Sequence, residues 1–281
     1  VWGIVELRNL LLIALKEMWE AWSNRWFLLF SGAFTALALG LSWLSVTGVA
    51  GAAFAGFGRT AASLVHLVLL VVPLMGLILG ATAIAAERER GSLIYLLCQP
   101  IEPRELVVGK FLGLSGATLA SLAVGFGLAA LVLAGREVTG AVSAYLIFLG
   151  LAALLAMASV SLGLLVSTLA SKVSMASGIA LFLWLVLVFL GDLGLMGTSV
   201  AMRLAARELL ILALLNPLQV FKMASLLAIQ GGLEGLGPAG LFALRTFGSG
   251  LLPLLVGLLA VWVLVPLAAA AVLLERRGGA A

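Results

Sequence analysis

The sequence predicts an all-α, polytopic membrane protein with six transmembrane helices, an N-terminal interfacial amphipathic helix and a helical outer segment between the fifth and sixth spans. Three observations carry this. The 281 residues are 64% hydrophobic and only 10% charged, with a mean hydropathy of +1.27, whereas soluble domains carry about 45–50% apolar and about 25% charged residues. The charges are segregated, leaving long uncharged runs, as expected where a charge near the bilayer centre costs at least about 2.5–3.5 kcal/mol. Within those runs Leu, Ala, Val and Gly follow one another continuously, without the alternation over about 10 residues that marks a membrane β-strand. The whole chain, 1–281, reads as one transmembrane domain.

The first element precedes the spans. Leu7, Leu11, Leu15, Met18, Trp22 and Trp26 recur at helical spacing, while Glu6, Asn9, Lys16, Glu17, Glu20 and Asn24 gather on the opposite face. This predicts an amphipathic helix over 4–25 lying along a membrane surface, its tryptophans at the headgroup boundary. The stretch is acidic and lacks a basic flank, apolar core and small-residue cleavage site, so a cleaved signal peptide is not expected.

Six uncharged runs follow: Trp26 to Gly58, Thr60 to Ala86, Phe111 to Gly135, Val138 to Ser171, Val173 to Gly191 and Thr246 to Leu274. Each holds the roughly 20 residues that a helix needs to cross about 30 Å of hydrocarbon. On the first, Gly32, Ala36 and Gly40 stand four apart and form a small-residue face suited to dimer packing or to packing within the protomer. Gly125 and Gly127, and Ser159 and Gly163, leave the same choice open on the third and fourth. His66 and Asp192 lie near the outer ends of the second and fifth spans and are candidates for a translocation path. The seven Met residues are scattered among Leu-rich runs and do not form a copper ladder.

The distribution of Lys and Arg orients the chain. With both termini on one side, that side holds Arg8, Lys16, Arg25, Arg88, Arg90, Arg104, Lys110, Lys172, Arg276 and Arg277, ten of the sixteen basic residues. Only Arg59 and Arg136 fall in short loops on the other side, which favours cytoplasmic termini in an inner membrane. The net charge of +4 is weak evidence for a nucleic-acid partner, and none is expected.

The loop between the second and third spans is the most informative. The charged cluster Glu87-Arg88-Glu89-Arg90 closes the second span, Gly91 breaks it, and Ser92 caps a short helix over Leu93 to Gln99 that Pro100 ends. Pro103 suits the first turn of the next helix, which carries Arg104, Glu105 and Lys110 into the third span. The result is a stiff elbow over 87–110 whose exposed Arg88, Arg90, Arg104 and Glu105 offer polar contacts to a soluble partner.

Set between the second and third of six spans, Glu-Arg-Glu-Arg-Gly-Ser-Leu at 87–93, Leu96-Leu97, Pro100-Ile101, Arg104-Glu105 and Gly109-Lys110 resemble the membrane subunits of ABC-2 type exporters. Gly56-Phe57-Gly58-Arg59-Thr60 and Leu215-Asn216-Pro217 resemble the NosY-type permeases within that family. The resemblance implies that the elbow docks on a nucleotide-binding ATPase subunit, that the permease works as a dimer, and that ATP and Mg are bound by the partner subunit. For the NosY type it also implies an extracytoplasmic maturation protein as partner. The function then implied is copper-site maturation of nitrous oxide reductase, by export of a sulfur-containing species. Export of lipid, drug or polysaccharide is the alternative within the family.

The residues exclude other chemistries. No phosphate cradle G-x-x-x-x-G-K-[ST] occurs, since Gly109-Lys110 is followed by Phe111 and Arg104 stands where the first Gly would be. No His/Cys spacing resembles a metal site, and one His, Cys98 and one outer Asp make no catalytic constellation. No cofactor bound by this chain and no catalytic residue is expected. A secondary transporter is expected to show matching halves around midplane charges, and neither is detected; it remains, with a membrane scaffold, the ATP-independent alternative. Outside, Asn216-Pro217 breaks the segment 197–250 into two short helices, placed at the surface as a lid over the translocation path or a platform for a partner.

Overall fold

The computed structural model describes residues 7–46, 56–93, 102–133, 141–189, 191, 206–230 and 237–278. Helices α1 (Leu7–Ser23), α2 (Arg25–Val46), α3 (Gly56–Glu89), α4 (Pro103–Leu133), α5 (Ala141–Leu169) and α6 (Val173–Phe189) follow in order. They are joined by α7 (Ala206–Leu214), α8 (Pro217–Gln230), α9 (Gly237–Phe247), a 3₁₀ turn at Gly248–Gly250 and α10 (Leu251–Gly278). The all-α polytopic membrane architecture is as the sequence predicts, with no strand among the described residues. Five helices are long and apolar enough to span: α2, α3, α4, α5 and α10. The run predicted as the fifth span forms α6, apolar but at 17 residues, about 25 Å at 1.5 Å per residue, shorter than the spanning helices; a sixth span among the described residues arises only if the bent pair α7 and α8 is taken as one.

Asn24 separates α1 from α2, and its side-chain oxygen accepts from the Trp26 backbone N–H, an Asn standing at the entry of a helix whose first N–H groups have no intrahelical acceptor. α3 and α5 form the centre of the bundle: two-thirds of each apolar stretch is buried, against 22% for α2 and 28% for α10. The central pair approaches through glycine. A Cβ on Gly80 would lie 2.5 Å from the Val160 carbonyl oxygen, and one on Gly163 2.6 Å from that of Leu77. Gly163 and Ser159 therefore pack within the protomer, as does Gly125, against whose position the Phe34 ring is pressed. Beside Pro73, which removes a donor from the α3 ladder, Trp184 Nε1 of α6 donates to the Leu70 carbonyl at 3.0 Å.

The outer segment is a correction to the surface placement. α7 and α8 meet at 109°, but α8 turns into the bundle: Leu218, Val220, Phe221, Met223 and Ala224 are buried against α3, α5 and α10. Aromatic rings carry this core across four helices. Phe34 meets Phe126 at 5.3 Å, Phe126 meets Phe148 at 5.5 Å, and Phe148 meets Phe221 of α8 at 5.9 Å between centroids. At the corner, Asn216 Nδ2 donates to the Leu187 carbonyl at 2.7 Å while its Oδ1 accepts from the Leu218 N–H at 2.9 Å. A surface placement follows from polar residues spaced along a short helix; it fails here because α8 finds an apolar socket that only the tertiary fold provides. A third helix, α9, also lies in this segment.

Candidate functional site at the charged end

The charged residues of α1, the end of α3, the start of α4 and the end of α10 gather at one end of the bundle. The centre is Lys110, 1% exposed. Its Nζ lies 2.5 Å from Glu17 Oε1 of α1 and 2.8 Å from Glu87 Oε1 of α3, and donates to the Ala83 carbonyl at 3.3 Å. A buried ammonium needs such partners, because transfer out of water costs several kcal/mol that only paired charge and hydrogen bonds offset. Lys16 adds a second cation 3.4 Å from Glu87, 3.6 Å from Glu17 and 3.3 Å from Glu20. Burial works against the Lys16 charge, but the carboxylates of Glu17, Glu87 and Glu20 outweigh it and hold its pKa above the ordinary 10.5. The folded pKa being the higher one, this contribution to stability is whole below pH 10.5 and disappears only as pH rises through the folded value.

α1 reaches these partners because α4 offers it glycines. Ile13 packs where a Cβ on Gly109 would lie, Ala14 and Glu17 close on Gly113, and Met18 lies over Gly116. Glu17 and Met18 thus face the bundle, whereas the sequence pattern puts Glu17 on a polar face and Met18 on the membrane face. The apolar residues left exposed are Leu11, Leu12, Leu15, Trp19, Trp22 and Trp26.

The next two residues of the cluster turn to other helices. The Arg88 guanidinium donates to the Thr168 carbonyl at 3.3 Å and to the Ala170 carbonyl, satisfying groups at the α5 C-terminus that have no intrahelical donor. Glu89 Oε2 accepts from the Val173 backbone N–H at 2.7 Å, capping α6 from another helix. Glu87, Arg88 and Glu89 therefore tie α3 to α1 and α4, to α5, and to α6 in turn. Ser167 strengthens the same contact, its Oγ accepting from the Ile84 and Ala85 backbone N–H groups at 2.9 Å each. Arg88→Ala is expected to cost about 1.5–3 kcal/mol, the range for hydrogen bonds from a charged group, with Arg88→Lys recovering only part; thermal unfolding in detergent measures both.

The elbow begins as its residues require. Gly91 has φ +74°, and its N–H bonds the Arg88 carbonyl at 3.1 Å, the left-handed helix ending that glycine adopts without strain. Space around it is open, so Gly91→Ala is expected to cost only the backbone strain, about 1–2 kcal/mol, as a matching fall in thermal stability. Ser92 Oγ donates back to the Glu87 carbonyl at 3.2 Å. The predicted helix over Leu93 to Gln99 and its Pro100 stop lie, beyond Leu93, outside the described residues, while Pro103 opens α4 as expected.

Four cations and carboxylates taken as exposed separate into two kinds. Arg90 and Arg104 are exposed, Arg104 pairing with Glu275 of α10 at 3.0 Å. Arg88 is half-buried and Glu105 is 5% exposed, so the placement of these two on the surface is corrected. The sequence missed Glu17, Lys16 and Glu275 as partners; the one signal was a lysine, Lys110, inside an otherwise apolar helix start, which demands a carboxylate.

Other candidates lie apart from this cluster. Gly32, Ala36 and Gly40 share an exposed face of α2, with nothing within 4 Å of the Cβ positions of either glycine, so this face is not used within the protomer. His66 is exposed on α3, and Asp192 lies outside the described residues. No group of three or more metal-ligating side chains occurs among the described residues.

The profile of the ABC-2 family transporter proteins matches residues 11–278. A probable ABC transporter permease protein NosY of Pseudomonas aeruginosa is 34% identical over 229 residues, covering 79% of this chain and 83% of its own. A protein of the same description from Stutzerimonas stutzeri is 31% identical over 237 residues, covering 82% of this chain and 86% of its own.

Proposed function

The chain belongs to the ABC-2 family of transporter proteins as a membrane-spanning permease subunit, and from that premise we propose that it is the permease of an ATP-driven exporter whose separate nucleotide-binding subunit docks at the charged end. The observation that carries the reading is the tying of α3 to α1, α4, α5 and α6 by Glu87, Arg88 and Glu89. A push delivered at this end is shared at once by five helices, which is what a pump driven from outside the membrane requires. A dimer of permeases with two ATPase subunits is the assembly proposed, with the charged end and both termini in the cytoplasm of an inner membrane. ATP and Mg belong to the partner, and this chain contributes the path.

Likeness to two NosY permeases favours copper-site maturation of nitrous oxide reductase over export of lipid, drug or polysaccharide. Export of a sulfur-containing species, and an extracytoplasmic maturation protein as acceptor, complete this proposal. Purification of the tagged chain from its native membrane in mild detergent tests it. A stoichiometric ATPase subunit and ATP hydrolysis by the complex are expected, together with a copurifying maturation factor. An intact chain that retains native lipid and carries no ATPase would leave an ATP-independent transporter or scaffold instead.

A further inference from the structure

Two of the spanning helices carry an internal proline, Pro73 in α3 and Pro266 in α10. A proline gives its own helix no N–H and crowds the carbonyl four residues back, so the ladder is weakened there, and in a membrane neighbouring groups make good the loss. Both helices do this in the same register. Trp184 Nε1 donates to the Leu70 carbonyl at 3.0 Å, and Ser161 Oγ donates to the Val263 carbonyl at 2.7 Å, each acceptor standing three residues before its proline. The surroundings differ. Ser161 is fully buried between α5 and α10, whereas Leu70 is 51% exposed and its bond to Trp184 lies at the surface of the bundle.

α3 is fixed more firmly on one side of Pro73 than on the other. Towards the charged end, Gly76 and Gly80 lie against α5, where added Cβ atoms would come within 2.8 Å of the Ser159 Cβ and 2.5 Å of the Val160 carbonyl oxygen. Ser167, Arg88 and Glu89 add directed bonds there. On the far side, Leu64, Val65, Val68 and Val72 pack into the apolar core, and apolar burial is non-directional, so it fixes a tilt less firmly. Trp184 is itself held from the outer hairpin. Asn216, at the corner of α7 and α8, donates from Nδ2 to the Leu187 carbonyl at 2.7 Å, three residues beyond Trp184 on α6. The hairpin corner, one turn of α6 and the weakened point of α3 are therefore connected in series.

We propose that Pro73 is a joint about which the outer arm of α3, residues 56–72, tilts, that Trp184 is the latch that holds this arm straight, and that Asn216 makes the latch depend on the seating of the outer hairpin. Pro266, whose donor is buried, is fixed. A displacement of the hairpin corner then frees the outer arm of α3 without any change at the charged end.

The test uses the full-length chain in lipid nanodiscs, with Cys98→Ser removing its one thiol and spin labels introduced in pairs at exposed positions. Labels at 66 and 131 report on the outer arm of α3 against α4, and labels at 90 and 112 report on the same two helices beyond the joint. Position 66 lies about 10 Å along the helix from Pro73, so a proline bend of about 20° displaces it by about 3–4 Å. Trp184→Phe, which keeps an aromatic ring and removes the donor, is expected to broaden the 66–131 distance by that amount and to leave 90–112 unchanged. Asn216→Asp keeps the oxygen that accepts from the Leu218 N–H but loses the donor to Leu187. It is expected to broaden 66–131 likewise, and the double variant no further, because the two groups act in series. Ser161→Ala is expected to lower thermal stability and to leave 66–131 as in the parent. Where Trp184→Phe does not fold, Asn216→Asp carries the test alone, since it leaves Trp184 in place. An unchanged 66–131 distance in Asn216→Asp overturns the proposal, as does equal broadening by Ser161→Ala, which is the mark of general loosening. Additive broadening by Trp184→Phe and Asn216→Asp overturns the link between latch and hairpin.

Discussion

Replacing Lys110 with alanine is expected to destabilise the chain by about 3–5 kcal/mol, the range for breaking a buried ion pair by removal of one partner. The loss exceeds that of a surface pair, about 0–1 kcal/mol, because Glu17 and Glu87 would stay buried among α1, α3 and α4 with no cation of comparable burial. Lys16 sits nearby but is half exposed and cannot take the same position. A triple variant, Lys110→Met with Glu17→Gln and Glu87→Gln, is expected to recover much of the loss, since it removes all three charges together. Thermal unfolding of the purified protein in one detergent measures the set. A single variant as stable as the parent would show that the pairing contributes nothing.

Gly163→Val is expected to be the most damaging substitution in the membrane-spanning core. The Cβ position at Gly163 lies 2.6 Å from the Leu77 carbonyl oxygen and 3.0 Å from the Ala81 nitrogen, and backbone on both sides cannot turn aside as a side chain would. The helices must separate, and overpacking of this kind costs about 1–3 kcal/mol or more, here at the contact on which α3 and α5 both rely. Ser167, bonded to the Ile84 and Ala85 backbone, and Arg88, bonded to the α5 terminus, would lose alignment together. Recovery of folded protein from detergent, compared with Gly32→Val on the open face of α2, separates a steric effect from general intolerance of the spans. Gly32→Val is expected to be mild, its Cβ position meeting nothing within 4 Å.

Much of this architecture is legible in the sequence because the bilayer makes charge placement one-dimensional. Five of the six charge-free runs contain helices long enough to span, and the breaks at Gly91, Pro103 and Asn216 announce themselves by residue type, whereas Asn24 reads as one more polar residue of the first helix. What the sequence does not reveal is which way a charge near a span end faces. Glu87, Glu89 and Arg90 look equivalent along the chain, yet Glu87 is buried on Lys110, Glu89 caps α6 and Arg90 is exposed. The difference is set by about 100° of rotation per residue around α3 and by helices that arrive from far away in sequence. α8 was misplaced for the same reason: its 14 residues carry Gln219 and Lys222 among apolar side chains, a pattern equally suited to an interface and to a socket.

That socket imposes an order on how the protein is made. α3, α5 and α6 leave the ribosome before α8, but α10, which closes the remaining side against Phe221 and its neighbours, comes last. While α10 is still being synthesised, the 109° hairpin has only part of its burial site. The burial of α8 is therefore complete only once α10 is in place, and a chain halted before Leu251 would carry an apolar helix with one wall of its housing missing.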